Sequence, residues 1–361
     1  MAFELFAAGG NLGGELGVDP EIRQKSDLFR KVPLANVSSL ASGGMHVAAL
    51  SQGRVFTWGV NDDGALGRDG DEFEPAAVRL ETDAVPVQVA CSDSSTWILN
   101  KNGQVWGAGT FRNAQGDKSF LGAEVQRTFT AYPGLPKIVS ICAGNQHVLA
   151  LDEDHGVWVW GVAERELLGY AFARKANTTR PHRLYLNTGR AHASQIFASA
   201  TRSFVVLSNG KVRTWGLNSL GELGLGHTNA VLRPTLLRPK PFRSAVVKVV
   251  GGEFHQLLLL ANGQVWGAGT GQDGQMGPSA GGSTFGRIAV PPMSNLSSAS
   301  RHTMWVDRQG GWWASGDNSS GQLGLGADAE STVLDLSSVV TKTPRTPALL
   351  ASGGQTNFAA W

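Results

Sequence analysis

Four histidines occupy equivalent places in a stretch that recurs along this chain of 361 residues: His46, His147, His255 and His302. Imidazole nitrogens bind zinc, but structural zinc sites use ligands at compact spacing, and these four lie far apart in the sequence. At the same place, other copies of the stretch show Ser95, Ser203 and Asn357. A polar residue that recurs beside glycines most simply hydrogen-bonds the backbone of a neighbouring segment, because buried backbone groups need partners. The sequence therefore predicts a structural role for His46, His147 and His302, leaves His255 open, and predicts no metal site.

The remaining reactive residue types show no catalytic arrangement. Cys91 and Cys142 lie on apolar, strand-like runs, which predicts small buried side chains in a reducing compartment rather than a disulfide. The glycine-rich segment GAGTGQDGQMG (267–277) resembles a nucleotide-binding loop, but no helix follows it, as such a loop requires. We therefore predict neither a cofactor nor an enzyme active site.

The histidines belong to a larger repeat that must position them. Its clearest copy is VRTWGLNSLGELGLG (212–226), a strand that ends in Trp-Gly, followed by a polar loop and a Gly-x-Leu-Gly turn. Alignment on the glycine that follows the strand finds seven copies: Gly9, Gly59, Gly109, Gly161, Gly216, Gly269 and Gly316. A glycine-rich, strand-rich period of roughly fifty residues is typical of propeller blades or a solenoid. The third copy, GAGTFRNAQGD (107–117), departs from the glycine spacing of the others.

Each repeat also contains an upstream strand, and Asn-Gly turns such as Asn209-Gly210 connect it to the Trp-Gly strand as a hairpin. No stretch has sustained helical periodicity, so we predict an all-β chain. The sequence opens midway through a repeat and closes with LASGGQTNFAAW (350–361), an upstream strand without its Trp-Gly partner. Pairing of the two terminal segments would complete a ring and remove exposed sheet edges. We predict one domain, residues 1–361, folded as a closed seven-bladed β-propeller with repeats of about 51 residues.

The amino-acid composition limits the kinds of partner that the protein is expected to bind. The formal net charge of +2 and a pI of about 8.6 are too balanced to indicate nucleic-acid binding from bulk charge. The segment RPTLLRPKPFR (233–243) is locally basic and suggests a weak contact with chromatin or DNA. The longest apolar run, 257–261, is too short to span a bilayer, and nothing near Met1 resembles a signal peptide. We expect a soluble intracellular monomer, nuclear or cytoplasmic, without a membrane partner.

Two motifs carry a resemblance to a known family. GMHVAAL followed by VFTWGVNDDGALGRD (44–69), together with the recurring W-G-x-N-x-x-G-x-L-G, resembles the regulator of chromosome condensation family across all seven repeats. The best-known members are guanine-nucleotide exchange factors for the small GTPase Ran. The segment GTFRNAQG (109–116) resembles the loop that such factors press into the GTPase as a wedge.

The resemblance implies a GTPase-binding surface on this chain. It comprises the wedge residues Phe111, Arg112, Asn113, Ala114, Gln115 and Gly116, with Asp93 and His255 beside them. Asn11 and Gln146 align with acidic positions of that surface, and Tyr170 aligns with a basic one. The resemblance thus predicts an exchange factor for a Ran-type GTPase that stabilises the nucleotide-free state without covalent chemistry. The three positions that lack the expected charge favour the alternative, a non-catalytic propeller adaptor that binds other proteins.

Overall fold

The computed structural model describes residues 3–70, 72–80, 85–112, 118–119, 124–162, 168–169, 178–238, 242–340 and 346–361. These residues form strands and loops and contain no helix, so none of them forms an apolar helix of membrane-spanning length. The first strands are β1 (Glu4–Gly10), β2 (Lys25–Ala35), β3 (Val37–Ser42), β4 (His46–Ser51), β5 (Arg54–Gly59), β6 (Ala76–Ala77), β7 (Pro86–Cys91), β8 (Ser95–Asn100), β9 (Val105–Gly109) and β10 (Phe111–Arg112).

The next strands are β11 (Lys118–Ser119), β12 (Gln126–Ala131), β13 (Ile138–Ala143), β14 (His147–Asp152), β15 (Val157–Gly161), β16 (His182–Arg183), β17 (Ala193–Ser199), β18 (Arg202–Leu207), β19 (Val212–Gly216) and β20 (Val231–Leu236). The last are β21 (Val246–Gly251), β22 (His255–Leu260), β23 (Val265–Thr270), β24 (Gly281–Arg287), β25 (Met293–Ala299), β26 (His302–Asp307), β27 (Trp312–Asp317), β28 (Thr332–Ser338), β29 (Leu349–Ser352) and β30 (Thr356–Ala360).

Seven antiparallel four-stranded sheets form the blades of a propeller, as predicted. Blade 1 has the order β29-β30-β1-β2 from the inside outwards, and blade 2 has β3-β4-β5-β6. Blade 3 is β7-β8-β9-β12, and blades 4 to 7 take four consecutive strands each, from β13 to β28. The predicted ring closure is confirmed, because β1 pairs with β30 from Leu5 opposite Ala360 to Gly9 opposite Thr356.

The second strand of each blade is buried throughout its length in blades 2 to 7. Both of its sides face neighbouring blades, which explains why these strands read as continuous apolar runs such as Leu257–Leu260 rather than as an alternating pattern. Tryptophans fill the space between blades, and Trp58, Trp97, Trp160, Trp215 and Trp305 are fully buried.

The glycine on which the repeats align is the last or next-to-last residue of the third strand in every blade. In all seven blades its φ lies between +97° and +131°, a region that side-chain-bearing residues rarely adopt. A Cβ on Gly59 would also collide with the backbone of Met45 in the turn between the first and second strands. That turn and the connection between the third and fourth strands lie on one face of the disc, which we call the loop face.

Candidate functional site

The predicted site residues that the structure describes lie at the loop face, in a turn or at the adjoining end of a strand. Asn11 follows β1, Asp93 lies between β7 and β8, and Gln146 lies between β13 and β14. Phe111 and Arg112 lie between β9 and β12, and His255 is the first residue of β22. The topology therefore brings these predicted residues to one side of the propeller.

Asn11 has a structural role. Its side chain is fully buried, its Nδ2 donates to the carbonyl oxygens of Val18 at 2.8 Å and Arg23 at 2.6 Å, and its Oδ1 accepts the Leu16 N–H at 2.7 Å. The same pattern of bonds recurs at Asn61, Asn218 and Asn318. Asn11 therefore fixes the loop after β1 instead of facing a partner.

The four histidines bind across the seams between blades. Each Nε2 lies within hydrogen-bonding distance of a side chain on the next blade: His46 to Thr96 at 2.9 Å, His147 to Ser203 at 2.8 Å, His255 to Ser298 at 2.7 Å and His302 to Asn357 at 3.1 Å. Burial lowers the pKa of His255 to about 3 and that of each of the other three to about 4. The predicted interblade role is confirmed, although these partners are side chains rather than backbone. His255 is buried like the others and is not exposed to a docking protein.

Strand register corrects the sequence alignment of this position. Arg202 pairs with Gly216 and Thr356 pairs with Gly9, as His302 pairs with Gly316. Ser203 and Asn357 are therefore one residue after the histidine position. Each forms a hydrogen bond across the seam with a histidine of the preceding blade, Ser203 with His147 and Asn357 with His302. Counting back the same number of residues from the repeat glycine as in blade 7 would have placed Arg202 at the histidine position in the sequence.

Arg202 forms a buried ion pair that sequence reasoning missed. Its Nη2 bonds the Glu222 carboxylate, and both side chains are almost fully buried. The guanidinium also donates to the carbonyl oxygens of Gly252 at 2.9 Å and Glu253 at 2.7 Å in blade 6. Arg202 thus links blades 5 and 6 from the same strand position at which a histidine links other pairs of blades.

A two-stranded hairpin distinguishes blade 3 from the other blades in the described part of the chain. β10 and β11 pair antiparallel between β9 and β12, with Phe111 opposite Ser119 and Arg112 opposite Lys118. This is the irregular third repeat, so its unusual glycine spacing corresponds to an inserted element. The predicted wedge residues Asn113, Ala114, Gln115 and Gly116 lie outside the described residues, and so does Tyr170.

The base of the hairpin is fixed in the core. Phe111 is 1% exposed and stacks on Trp97 at a centroid distance of 5.8 Å. Trp97 in turn contacts Tyr132 at 4.8 Å and Trp160 at 5.1 Å. Beside it, the Thr110 hydroxyl donates to the carbonyl of Glu124 at 2.7 Å. Phe111 therefore anchors the hairpin rather than contacting a partner.

Polar contacts connect the hairpin to both neighbouring blades. The Arg112 guanidinium forms an ion pair with Asp63 in the loop after β5 of blade 2. The Arg112 backbone N–H donates to Gln146 Oε1 of blade 4 at 3.0 Å. Gln146 Nε2 then donates to Asp93 Oδ2 at 3.3 Å. Three predicted site residues, Arg112, Gln146 and Asp93, are thus linked, together with Asp63, which the sequence motif contained but did not single out.

Asp93 has a perturbed carboxyl group. Burial raises its pKa from 3.8 to about 6, the hydrogen bond from Gln146 opposes that rise, and the charge of Glu253 adds to it. Asp93 and Glu253 both line a central channel of about 690 Å³ whose walls are the first strands of the blades. Deeper in this channel the half-buried Lys248 donates to Asn295 Oδ1 at 2.8 Å, and burial lowers its pKa to about 8.

A family model and similar proteins of known name agree on one family for this chain. The family model described as RCC1-like domain matches residues 4–359. Protein pim1 of Schizosaccharomyces pombe is 31% identical over 280 residues, which cover 70% of this chain and 51% of pim1. Guanine nucleotide exchange factor SRM1 of Saccharomyces cerevisiae is 29% identical over 318 residues, which cover 74% of this chain and 64% of SRM1. The chain thus spans roughly half to two thirds of these two relatives.

Solved structures agree with the propeller. Yeast RCC1 (Prp20), solved bound to Kap60, superimposes with a TM-score of 0.90 at 25% sequence identity, covering 99% of this chain and 88% of the yeast chain.

Proposed function

This chain belongs to the RCC1-like domain family, and on that premise we propose that it is a guanine-nucleotide exchange factor for a Ran-type small GTPase. The observation that supports the proposal is the hairpin of blade 3, whose strands β10 and β11 lie between β9 and β12 on a base fixed by Phe111. Similarity to SRM1, whose name states an exchange activity, supports it.

Exchange of this kind needs no covalent chemistry. A factor that binds the nucleotide-free GTPase more tightly than the loaded one weakens nucleotide binding by the same ratio, because the two equilibria are linked. Each tenfold loss of nucleotide affinity requires about 1.4 kcal/mol of preferential binding. In this proposal the wedge residues 111–116 supply that preference by displacing the phosphate and magnesium contacts of the GTPase. The propeller supplies a rigid base for the wedge.

The charge of the loop face suits a partner with a basic surface. Asp62 and Glu253 are exposed there, and Asp93 and Asp273 are partly exposed. Arg301 lies among them, but its guanidinium is near Asp273 at 3.8 Å and lies over the Phe254 ring at 5.2 Å. Opposite charges across such an interface mainly raise the association rate, so binding should weaken as salt increases.

The alternative function is a non-catalytic adaptor. Asn11 and Gln146 stand at positions where the resemblance implies acidic contacts, and both side chains are used inside the propeller. A face that has lost these contacts would hold another protein without displacing a nucleotide. Recovery of a stable partner complex without any GTPase would favour this function.

A contact with chromatin or DNA remains a weaker proposal. Arg233, Arg238 and Arg243 are exposed around the outer strand of blade 5 and the connection to blade 6. If they neutralise phosphates, the affinity for a DNA duplex should fall steeply between 50 and 200 mM salt. Salt-independent or undetectable binding removes this contact. A nuclear or cytoplasmic monomer is consistent with all three functions.

Release of a fluorescent GDP analogue from Ran tests the exchange proposal. The wild-type chain should accelerate release at micromolar concentration, and the double variant Arg112→Ala/Asn113→Ala should lose at least tenfold of that acceleration. Arg233→Ala is the matched control, because Arg233 is an exposed arginine on the outer strand β20. A wild-type chain that leaves the release rate unchanged excludes exchange on Ran and leaves the adaptor.

A further inference from the structure

The root of the hairpin lies between two blades to which it does not belong. Arg112 comes from blade 3, but its side chain reaches Asp63 of blade 2 and its backbone N–H reaches Gln146 of blade 4. The aromatic anchor at Phe111 prevents the hairpin from lifting off, because Phe111 lies beneath it in the core. An anchor at one point does not prevent rotation about that point. The two lateral contacts at Arg112 act against such rotation from opposite sides.

Asp63 is well placed to hold a charged partner. Its side chain is 11% exposed, whereas that of Arg112 is 43% exposed. The loop that carries Asp63 is itself fixed, because Asn61 Oδ1 accepts the Leu66 N–H at 3.0 Å and Asn61 Nδ2 donates to the Arg68 carbonyl at 3.0 Å. A carboxylate on a fixed loop loses little entropy on pairing, so this pair is stronger than a pair of two mobile surface side chains.

Gln146 can form its two contacts only because it is an amide. Its Oε1 accepts the Arg112 N–H while its Nε2 donates to the Asp93 carboxylate. A glutamate at this position would still accept from Arg112 but would have no hydrogen to donate, and it would place a second negative charge beside Asp93. The lost acidic residue noted in the sequence is thus replaced by an internal link between the hairpin and the turn that carries Asp93.

We propose that Asp63 and Gln146 are positioning residues that brace the base of the blade 3 hairpin, at Arg112, from blades 2 and 4 and hold it in the orientation that nucleotide exchange requires. The brace is a property of the propeller alone, whereas its effect on exchange rests on the proposed function. A wedge displaced by about 1 Å can lose much of its effect, because the gain from positioning depends steeply on geometry. Loss of the brace therefore lowers the maximal exchange rate more than it weakens the initial encounter with the GTPase.

Amide hydrogen exchange of the free protein tests the brace without any GTPase. In Asp63→Ala and in Gln146→Ala, which removes the acceptor of the Arg112 N–H, peptides that contain Arg112 and the 118–119 strand should exchange about tenfold faster than in the wild type, while peptides of β8 and β14 stay unchanged. Asp62→Ala is the matched control, because Asp62 is the exposed neighbour of Asp63 in the same loop. Equal hairpin exchange in Asp63→Ala and wild type would overturn the brace.

The exchange assay then tests the effect on the reaction. For Asp63→Ala and Gln146→Ala we expect the maximal rate of GDP release to fall about tenfold with less than a threefold change in the GTPase concentration at half-maximal rate. Asp335→Ala, which removes an exposed carboxylate from the outer strand β28 of blade 7, should leave the maximal rate within twofold of wild type. Faster hairpin exchange with an unchanged maximal rate would overturn the positioning role. A wild type that releases no nucleotide would instead overturn the proposed function, and the hydrogen-exchange result would still decide the brace.

Discussion

At the scale of single residues, two acidic side chains of the loop face, the buried Glu222 and the partly buried Asp93, are in opposite situations. Glu222 has a buried arginine as its partner, and Arg202 is further satisfied by the carbonyl oxygens of blade 6. Among the described residues no cation pairs with Asp93, and burial and the charge of Glu253 both disfavour its ionised form. Removing the charge of Glu222 should therefore destabilise the protein, whereas removing the charge of Asp93 should stabilise it.

The Glu222→Gln variant should be destabilised by about 3 kcal/mol or more, because it leaves the Arg202 guanidinium buried without a counter-ion. The double variant Arg202→His/Glu222→Gln should recover much of this loss, since blades 6 and 7 have histidine and glutamine at the two positions: His255 with Gln275 and His302 with Gln322. Urea unfolding of the two variants and the wild type measures both effects. A double variant no more stable than Glu222→Gln alone would show that the seam of blade 5 specifically requires arginine.

The Asp93→Asn variant should be more stable than the wild type at pH 8, by about 1 kcal/mol or more after allowance for partial exposure. The carboxyl pKa is raised on folding from 3.8 to about 6, so the cost of ionising it is absent below pH 3.8 and complete above about pH 6. The advantage of the variant should therefore shrink as pH falls from 6 to 4. Urea unfolding across this range checks it, and an advantage independent of pH would contradict the assignment to Asp93 ionisation.

At the scale of elements, blade 1 is the only blade whose strands come from both ends of the chain. β29 and β30 supply its inner half and β1 and β2 its outer half, with the Phe6 and Trp361 rings stacked at 4.2 Å. Phe358 is fully buried here and contacts Trp58 of blade 2. Closure of the ring thus depends on the short C-terminal hairpin formed by β29 and β30.

Deletion of residues 349–361 should abolish cooperative folding, because it exposes the edge of β1 and the apolar sides of blades 2 and 7. Deletion of Trp361 alone is the control. It removes two aromatic contacts, with Phe6 and Trp312, which are worth about 0.5–1.5 kcal/mol each beyond their buried area, and it should leave unfolding cooperative. Near-ultraviolet circular dichroism during heating distinguishes the two. A sharp transition in the longer deletion would mean that six complete blades hold together without closure.

At the scale of the whole molecule, four neutral histidines distributed around the disc make the propeller sensitive to acid. His46, His147, His255 and His302 have pKa values lowered by burial, whereas in the unfolded chain they titrate near 6.5. The unfolded chain binds their protons first as pH falls. The stability due to neutral histidine is therefore complete above pH 6.5 and is lost as pH falls towards 4.

Each buried histidine should contribute about 1.4 kcal/mol per pH unit to the slope of stability against pH between 6.5 and 4. The His147→Gln variant should reduce the slope of the wild type by that amount while leaving the remaining three contributions in place. Guanidinium unfolding at half-unit steps of pH gives the slope. An unchanged slope in His147→Gln would show that His147 is already protonated in the folded chain, contrary to its buried contact with Ser203.

Repetition made the fold predictable from local sequence. The Trp-Gly strand, the glycine with positive φ and the Asn-Gly turns are each dictated by backbone geometry within a few residues, so aligning seven copies was enough to find seven blades and their closure. The same regularity showed where the hairpin of blade 3 interrupts the pattern. Residues such as His46 were correctly predicted to lie at seams, because a polar residue beside glycines must find a partner nearby.

The site depended on contacts that no local pattern contains. Asp63, Arg112, Gln146 and Asp93 come from three blades and meet only when the ring closes, so their spacing in the sequence carries no signal of the contact. The same holds for Arg202. From the sequence alone a charged side chain is expected to be exposed, but Arg202 is buried because Glu222 and the carbonyl oxygens of blade 6 are its partners. Whether Asn11 and Phe111 face solvent or the core was also a matter of packing between blades. Periodicity is a property of the chain, whereas burial and charge pairing arise only when distant repeats come together.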